Sequence, residues 1–125
     1  MEGTILLVDD NHETCQALEA CLELRGLLVI PYTDASKAMD YIRENTSLYD
    51  IGIFDHALDG GYSGIELLRE SKNVRPDVPV MIMSGHPVAP LEAEIFIAKP
   101  FNIDQLVTLI DSLLQKVARQ RPKQF

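Results

Sequence analysis

Nowhere does this chain reach the ~18 consecutive apolar residues that mark a membrane-spanning helix, so a span of that kind is not expected. It also lacks a basic-then-apolar leader, which leads us to expect a cytoplasmic protein. Positive charge is scarce: 11 Lys and Arg face 19 Asp and Glu, for a net charge of −8. Direct nucleic-acid binding needs a basic footprint, and the body of the chain has none. Its one basic cluster, Lys116, Arg119, Arg121 and Lys123, suits the negative end of a helix dipole. Cysteine is limited to Cys15 and Cys21, six apart in one helical pattern. At about 1.5 Å of rise per residue they lie too far apart along the axis to bridge, and they read as reduced, packed side chains. No Gly-rich phosphate loop, Ser/His/Asp arrangement, Cys/His metal cluster, internal repeat or low-complexity tract is present.

What is present is an ordinary globular composition, 46% apolar and 24% charged over 125 residues, which suits one domain with one core. We expect that domain over residues 1–119, with 120–125 as a tail or the start of a linker. Five short apolar runs, at 4–8, 27–32, 50–54, 78–83 and 94–98, read as strands. Pro31 removes a ladder donor near the end of the second, which places that strand at a sheet edge. Helical patterns intervene. Asn11 caps the first, which Gly26 stops; Thr33 or Asp34 opens a second that buries Ala38, Met39, Tyr41 and Ile42. Ser63 and Glu66 have capping-box spacing for a third, and Asn102 caps the last, with Phe101 and Leu106 as its staple. Between Ser84 and Glu94 two prolines three apart leave a loop with at most one turn. Strand–helix alternation of this kind predicts an α/β protein with right-handed crossovers and a parallel sheet covered on both faces.

The strands end in chemistry. Asp9 and Asp10 follow the first, Asp55 the third, Ser84 the fourth and Lys99 the fifth. In a parallel sheet those ends share one edge, where ligands of open α/β folds bind. Three carboxylates brought together repel, and a hard cation such as Mg2+ relieves them with oxygen ligands. Asp10 and Asp55 would bind it directly, Asp9 through water, and a loop carbonyl such as that of Ala57 would complete the shell. Asp55 is then a nucleophile toward phosphorus, Lys99 a point charge for one phosphoryl oxygen, and Ser84 a hydrogen-bond donor to another. Taken singly, each has an ordinary reading: Asp55 and Ser84 in turns, Asp9 and Asp10 as helix caps, Lys99 as a solvated lysine. Their order along five strands is what carries the site.

Those residues, within Ile5–Asn11, Ile53–Asp55, Met81–Gly85 and Ala98–Phe101, resemble the receiver domain of two-component response regulators. The resemblance covers residues 4 to about 117. It implies a doubly wound, flavodoxin-like five-stranded parallel sheet of order 2-1-3-4-5, with the site between the first and third strands. It casts Asp55 as phosphoacceptor, Asp9 and Asp10 as the Mg2+-binding pair, and Ser84 and Lys99 as phosphoryl sensors. Phe96 matches the aromatic switch. A sensor histidine kinase or phosphotransfer protein becomes the implied donor, and an effector protein or fused output domain the implied recipient.

Three departures stand out. Asp59 occupies the place where the family usually has proline, and Gly64 comes one residue late, so the 59–62 loop reads as longer, looser and more acidic. Only 15 positions (99 − 84) separate Ser84 from Lys99, so the family's fourth helix is expected to be shortened or absent and the fifth strand unusually exposed. His56 and His86 flank the site, with surface histidine as their ordinary reading. A phosphate-independent pseudo-receiver acting as an interaction module is the alternative function. A phosphatase is a third, for which so short a chain has little room.

Overall fold

The computed structural model describes residues 1–44, 48–86, 90 and 92–120. Its elements are β1 (Thr4–Val8), α1 (His12–Glu23), β2 (Leu28–Tyr32), α2 (Ala35–Arg43), β3 (Ile51–Asp55), α3 (Gly64–Val74), β4 (Val80–Ser84), β5 (Ile95–Ala98) and α4 (Ile103–Gln120). The five strands form one sheet of order β2-β1-β3-β4-β5, and every pairing is parallel. Pro31 does lie on an edge strand.

Alternation along the strands builds two core layers. Ile5, Leu7, Ile51, Ile53, Met81 and Met83 face one side, packing with Leu18 and Leu22 of α1 and Leu106 and Ile110 of α4. Leu6, Val8, Phe54 and Ile82 face the other, against Met39 and Ile42 of α2 and Leu67 and Leu68 of α3. Because both faces are covered, the central strands read as continuous apolar runs.

The helix starts follow their caps. The Asn11 side chain accepts from the Thr14 N–H, Asp34 from the N–H groups of Ser36 and Lys37, and Ser63 with Glu66 forms the full capping box. Asn102 Oδ1 accepts from the Asp104 N–H at 2.7 Å. Gly26, at φ 88°, takes the left-handed turn that follows α1.

Several boundaries move. The third strand begins at Ile51 and includes Asp55, because the Asp50 side chain accepts from the Thr4 N–H at 2.8 Å and is a strand lead-in. The fourth starts at Val80, since Pro79 cannot donate to the ladder, although its carbonyl accepts from the Gly52 N–H. Arg25 lies past the end of α1, and Tyr41 is only half-buried. The tail at 121–125, with Arg121, Pro122 and Lys123, lies outside the described residues.

Among the described residues no helix occurs between β4 and β5. What stands there is a turn in which the Ala93 N–H donates to the Pro90 carbonyl at 3.0 Å. Glu92 ties that turn to α3 through Arg69, whose Nε donates to Glu92 Oε2 at 2.6 Å and whose second guanidinium nitrogen meets Oε1. β5, a sheet edge, is only partly covered along Ile95–Ile97 and exposed at Ala98.

Two outcomes test this packing. Phe54 is fully buried between β3 and the α2–α3 layer, so Phe54→Ala should cost ~3–5 kcal/mol in urea-induced unfolding. Burial, with help from the Asp9 and Glu19 charges, pushes the Cys15 thiol up to about 11. Folding then favours the protonated thiol. Its contribution to stability is whole below the ordinary value of 9.0 and is lost as pH rises toward about 11. Near neutral pH an alkylating reagent should label native protein at Cys21 and reach Cys15 only after denaturation, as read by mass spectrometry.

Candidate functional site at the carboxyl edge of the sheet

The parallel strands deliver their last side chains to one edge. Asp9 directly follows β1 and is fully buried; Asp10, beside it, is half-buried. Asp55 closes β3 at 8% exposure and Ser84 closes β4 at 2%. Lys99 follows β5, and its backbone N–H donates to the Ser84 carbonyl at 2.7 Å. The five residues read from the sequence therefore meet.

Their contacts are specific. Lys99 Nζ donates to Asp9 Oδ2 at 3.1 Å and to Asp55 Oδ2 at 3.2 Å. The other Asp9 oxygen accepts from the Asn11 N–H at 3.0 Å. Carboxylate oxygens of Asp9, Asp10 and Asp55 all lie within 4.8 Å of one another. One ammonium against three carboxylates leaves a net negative pocket of oxygen donors. That donor set fits a hard divalent cation that keeps some of its waters.

Electrostatics follow the same geometry. Burial pushes the Asp55 carboxyl above its ordinary value; the Lys99 amine pulls it down, and Asp9 and Asp10 push it up again. Burial alone would lower Lys99, but its hydrogen bonds and charge pairs with Asp9 and Asp55 outweigh that and hold the amine above its ordinary value. The two directions have different leading causes: burial raises Asp55 despite its lysine, whereas two anionic partners raise Lys99 despite its burial.

The surroundings hold these groups in place. Ser84 Oγ accepts from the His86 N–H at 3.0 Å, leaving the hydroxyl proton free to donate. At Gly64 a Cβ would come within 2.2 Å of the Asp55 carbonyl oxygen, so only glycine lets α3 start this close to the end of β3. Ala57 is exposed, two residues past Asp55. Phe96 pairs with Ile82 across β4–β5 and is half-buried against the α2–α3 core layer. The His56 and His86 rings meet edge-on at 6.2 Å; His86 is exposed, while His56 Nδ1 is buried and finds no hydrogen-bond partner.

The 59–62 loop is less loose than its sequence reads. The Asp59 N–H donates to Asp10 Oδ2 at 3.1 Å, and Ser36 Oγ reaches the Gly60 carbonyl at 3.4 Å. Sequence reading missed both contacts. Backbone donors leave no mark in residue type, although the positive φ angles of Gly60 (83°) and Gly61 (120°) were open to inference from the glycine pair.

The sequence pattern of the response regulator receiver domain matches residues 5–111, and the chain belongs to that family. It is 34% identical to the nitrogen assimilation regulatory protein NtrX of Azorhizobium caulinodans, over 97% of this chain and 28% of that protein. It is 29% identical to the transcriptional regulatory protein FixJ of Bradyrhizobium diazoefficiens, over 92% of this chain and 58% of that one. The chain thus spans well under two thirds of the length of these curated relatives. Among solved structures, the CheY-like receiver domain protein of Methanospirillum hungatei superposes with a TM-score of 0.85, at 25% identity, covering 97% of this chain and all of that one. NtrX of Brucella abortus, solved in complex with ATP, superposes at 0.83 with 29% identity over 97% of this chain and 29% of that one.

The double pairing of Lys99 has a measurable weight. Lys99→Ala leaves two buried carboxylates facing each other, and should destabilise protein held in chelator by roughly 2 kcal/mol, less than the ~3–5 for a fully buried pair. Thermal unfolding of wild type and variant, both metal-free, reads the difference.

Proposed function

We propose that this domain accepts a phosphoryl group on Asp55 and passes the change of state to a partner. The observation that carries this reading is the Lys99 amine, which spans Asp9 and Asp55 beside Asp10 at the mouth of the sheet. Asp9, Asp10 and Asp55, with the Ala57 carbonyl, would hold Mg2+, which supplies charge neutralisation for an incoming phosphoryl group. In the transfer, an Asp55 carboxylate oxygen forms the new bond to phosphorus as the bond from phosphorus to the donor breaks. A histidine of a sensor kinase or phosphotransfer protein is the donor this reading implies. The Lys99 amine lies 3.2 Å from Asp55, close enough to turn to a non-bridging oxygen of the new acyl phosphate. The Ser84 hydroxyl, one register position past the Met83 partner of Asp55, donates to another. Movement of Ser84 vacates space on β4, and Phe96 on the neighbouring strand is the side chain placed to follow it.

The mechanism is a shift between two pre-existing arrangements, so phosphate acts only by its better contacts in one of them. A further output domain or a separate effector would read the result. The receiver unit proposed for it spans residues 1–119, and the cytoplasm is the compartment where such a kinase would act. Among the described residues no helix is long and apolar enough to cross a membrane. The complete set of Asp9, Asp10, Asp55, Ser84 and Lys99 supports this reading over the phosphate-independent one.

Purified protein with Mg2+ should take up one phosphoryl group from a small phosphodonor, and Asp55→Asn should take up none. Intact-mass measurement decides it. Equal labelling of the two proteins would remove Asp55 from the role.

A further inference from the structure

The acidic pocket is tied to the β3–α3 loop through a backbone group rather than a side chain. The Asp59 N–H donates to Asp10 Oδ2 at 3.1 Å, joining residues 49 positions apart. The loop is itself anchored, because Ser36 in the first turn of α2 reaches the Gly60 carbonyl at 3.4 Å. Gly60 and Gly61 both have positive φ, and a Cβ at Gly60 would meet nothing within 4 Å. Their conformation therefore serves the path of the backbone, not a tight packing contact. That path turns the Asp59 N–H toward Asp10.

We propose that Asp59 is a positioning residue of the cation site, acting through its backbone N–H to fix the Asp10 carboxylate for metal binding. This rests on the proposed role of Asp9, Asp10 and Asp55 as the Mg2+ site. The chemistry is simple. Asp10 is only half-buried, so its side chain otherwise retains rotamer freedom that binding must remove. A carboxylate has about four lone-pair sites on two oxygens, so one N–H on Oδ2 leaves ample capacity for a cation. The ordering is completed on folding, and the site meets the ion preorganised. Proline at position 59 would have no N–H and could not make this contact.

The test is Mg2+ titration of the purified domain, followed through tyrosine fluorescence and the rise in melting temperature. Asp59→Ala loses the same carboxylate as Asp59→Pro but keeps the N–H. Loss of a hydrogen bond to a charged acceptor in this partly exposed setting should place Asp59→Pro about tenfold weaker in Mg2+ affinity than Asp59→Ala. Gly60→Ala, which strains the turn and leaves the N–H in the chain, should fall between them. Equal affinities for Asp59→Pro and Asp59→Ala would overturn the proposal. A wild-type protein that does not bind Mg2+ at all would instead overturn the cation site beneath it. Should Asp59→Pro not fold, amide exchange decides: the Asp59 amide proton should exchange slowly in wild type and faster in Asp10→Ala, and an unchanged rate would overturn the assignment.

Discussion

One half-buried amine governs the geometry of this molecule's reactive edge. Lys99 arrives from the last strand of the sheet and places its nitrogen within hydrogen-bond distance of carboxylates from the first and third. Without it, Asp9 and Asp55 would face each other at low exposure with nothing between them, a costly arrangement in a protein interior. The pair of contacts also keeps the site undersaturated. One positive charge cannot balance three negative ones, and the remainder is an invitation to a second cation. In the proposed reaction, Lys99 would turn from Asp9 and Asp55 to a phosphoryl oxygen, and a cation held by Asp9, Asp10 and Asp55 would supply the charge neutralisation. Stability of the empty pocket and readiness for the filled one thus draw on the same side chain.

Most of this was legible in the chain itself, for a physical reason. A doubly wound sheet buries its strands on both faces, so each appears as an unbroken apolar run, and polar residues can stand only at the ends. Asp9, Asp10, Asp55, Ser84 and Lys99 were conspicuous because they follow such runs directly. Caps were legible from position: Asn11, Asp34 and Ser63 stand directly before helical patterns, where a short polar side chain can satisfy the first helix N–H groups. Strand starts were not. Asp50 reads as the polar boundary of β3 whether it is in the strand or before it, and only its hydrogen bond to the Thr4 N–H shows which.

The loops divide differently. Two glycines in the 59–62 segment read as slackness, and the coordinates show them directing a backbone donor onto Asp10. Glycine signals only that unusual angles are allowed; it does not say what those angles achieve. In the shortened β4–β5 connection, by contrast, residue count was decisive. The 14 residues between Ser84 and Lys99 must supply all of β5 and its return, and too little chain remains for a full helix as well.

That shortage bears on how a change at Ser84 can spread. Ser84 and Lys99 are joined by a backbone hydrogen bond at 2.7 Å, so the ends of β4 and β5 are coupled before any ligand arrives. Where a helix would ordinarily receive their movement, the described residues show the Ala93 N–H bonded to the Pro90 carbonyl, and Glu92 held to α3 by Arg69. That pair is bidentate, the geometry in which an exposed ion pair holds best. Displacement of β4 and β5 has two ready recipients: Phe96, half-buried on the open strand, and α3, reached through that pair. Gly64 packs the start of α3 against the Asp55 backbone, so this helix touches the site at one end and the turn near its middle.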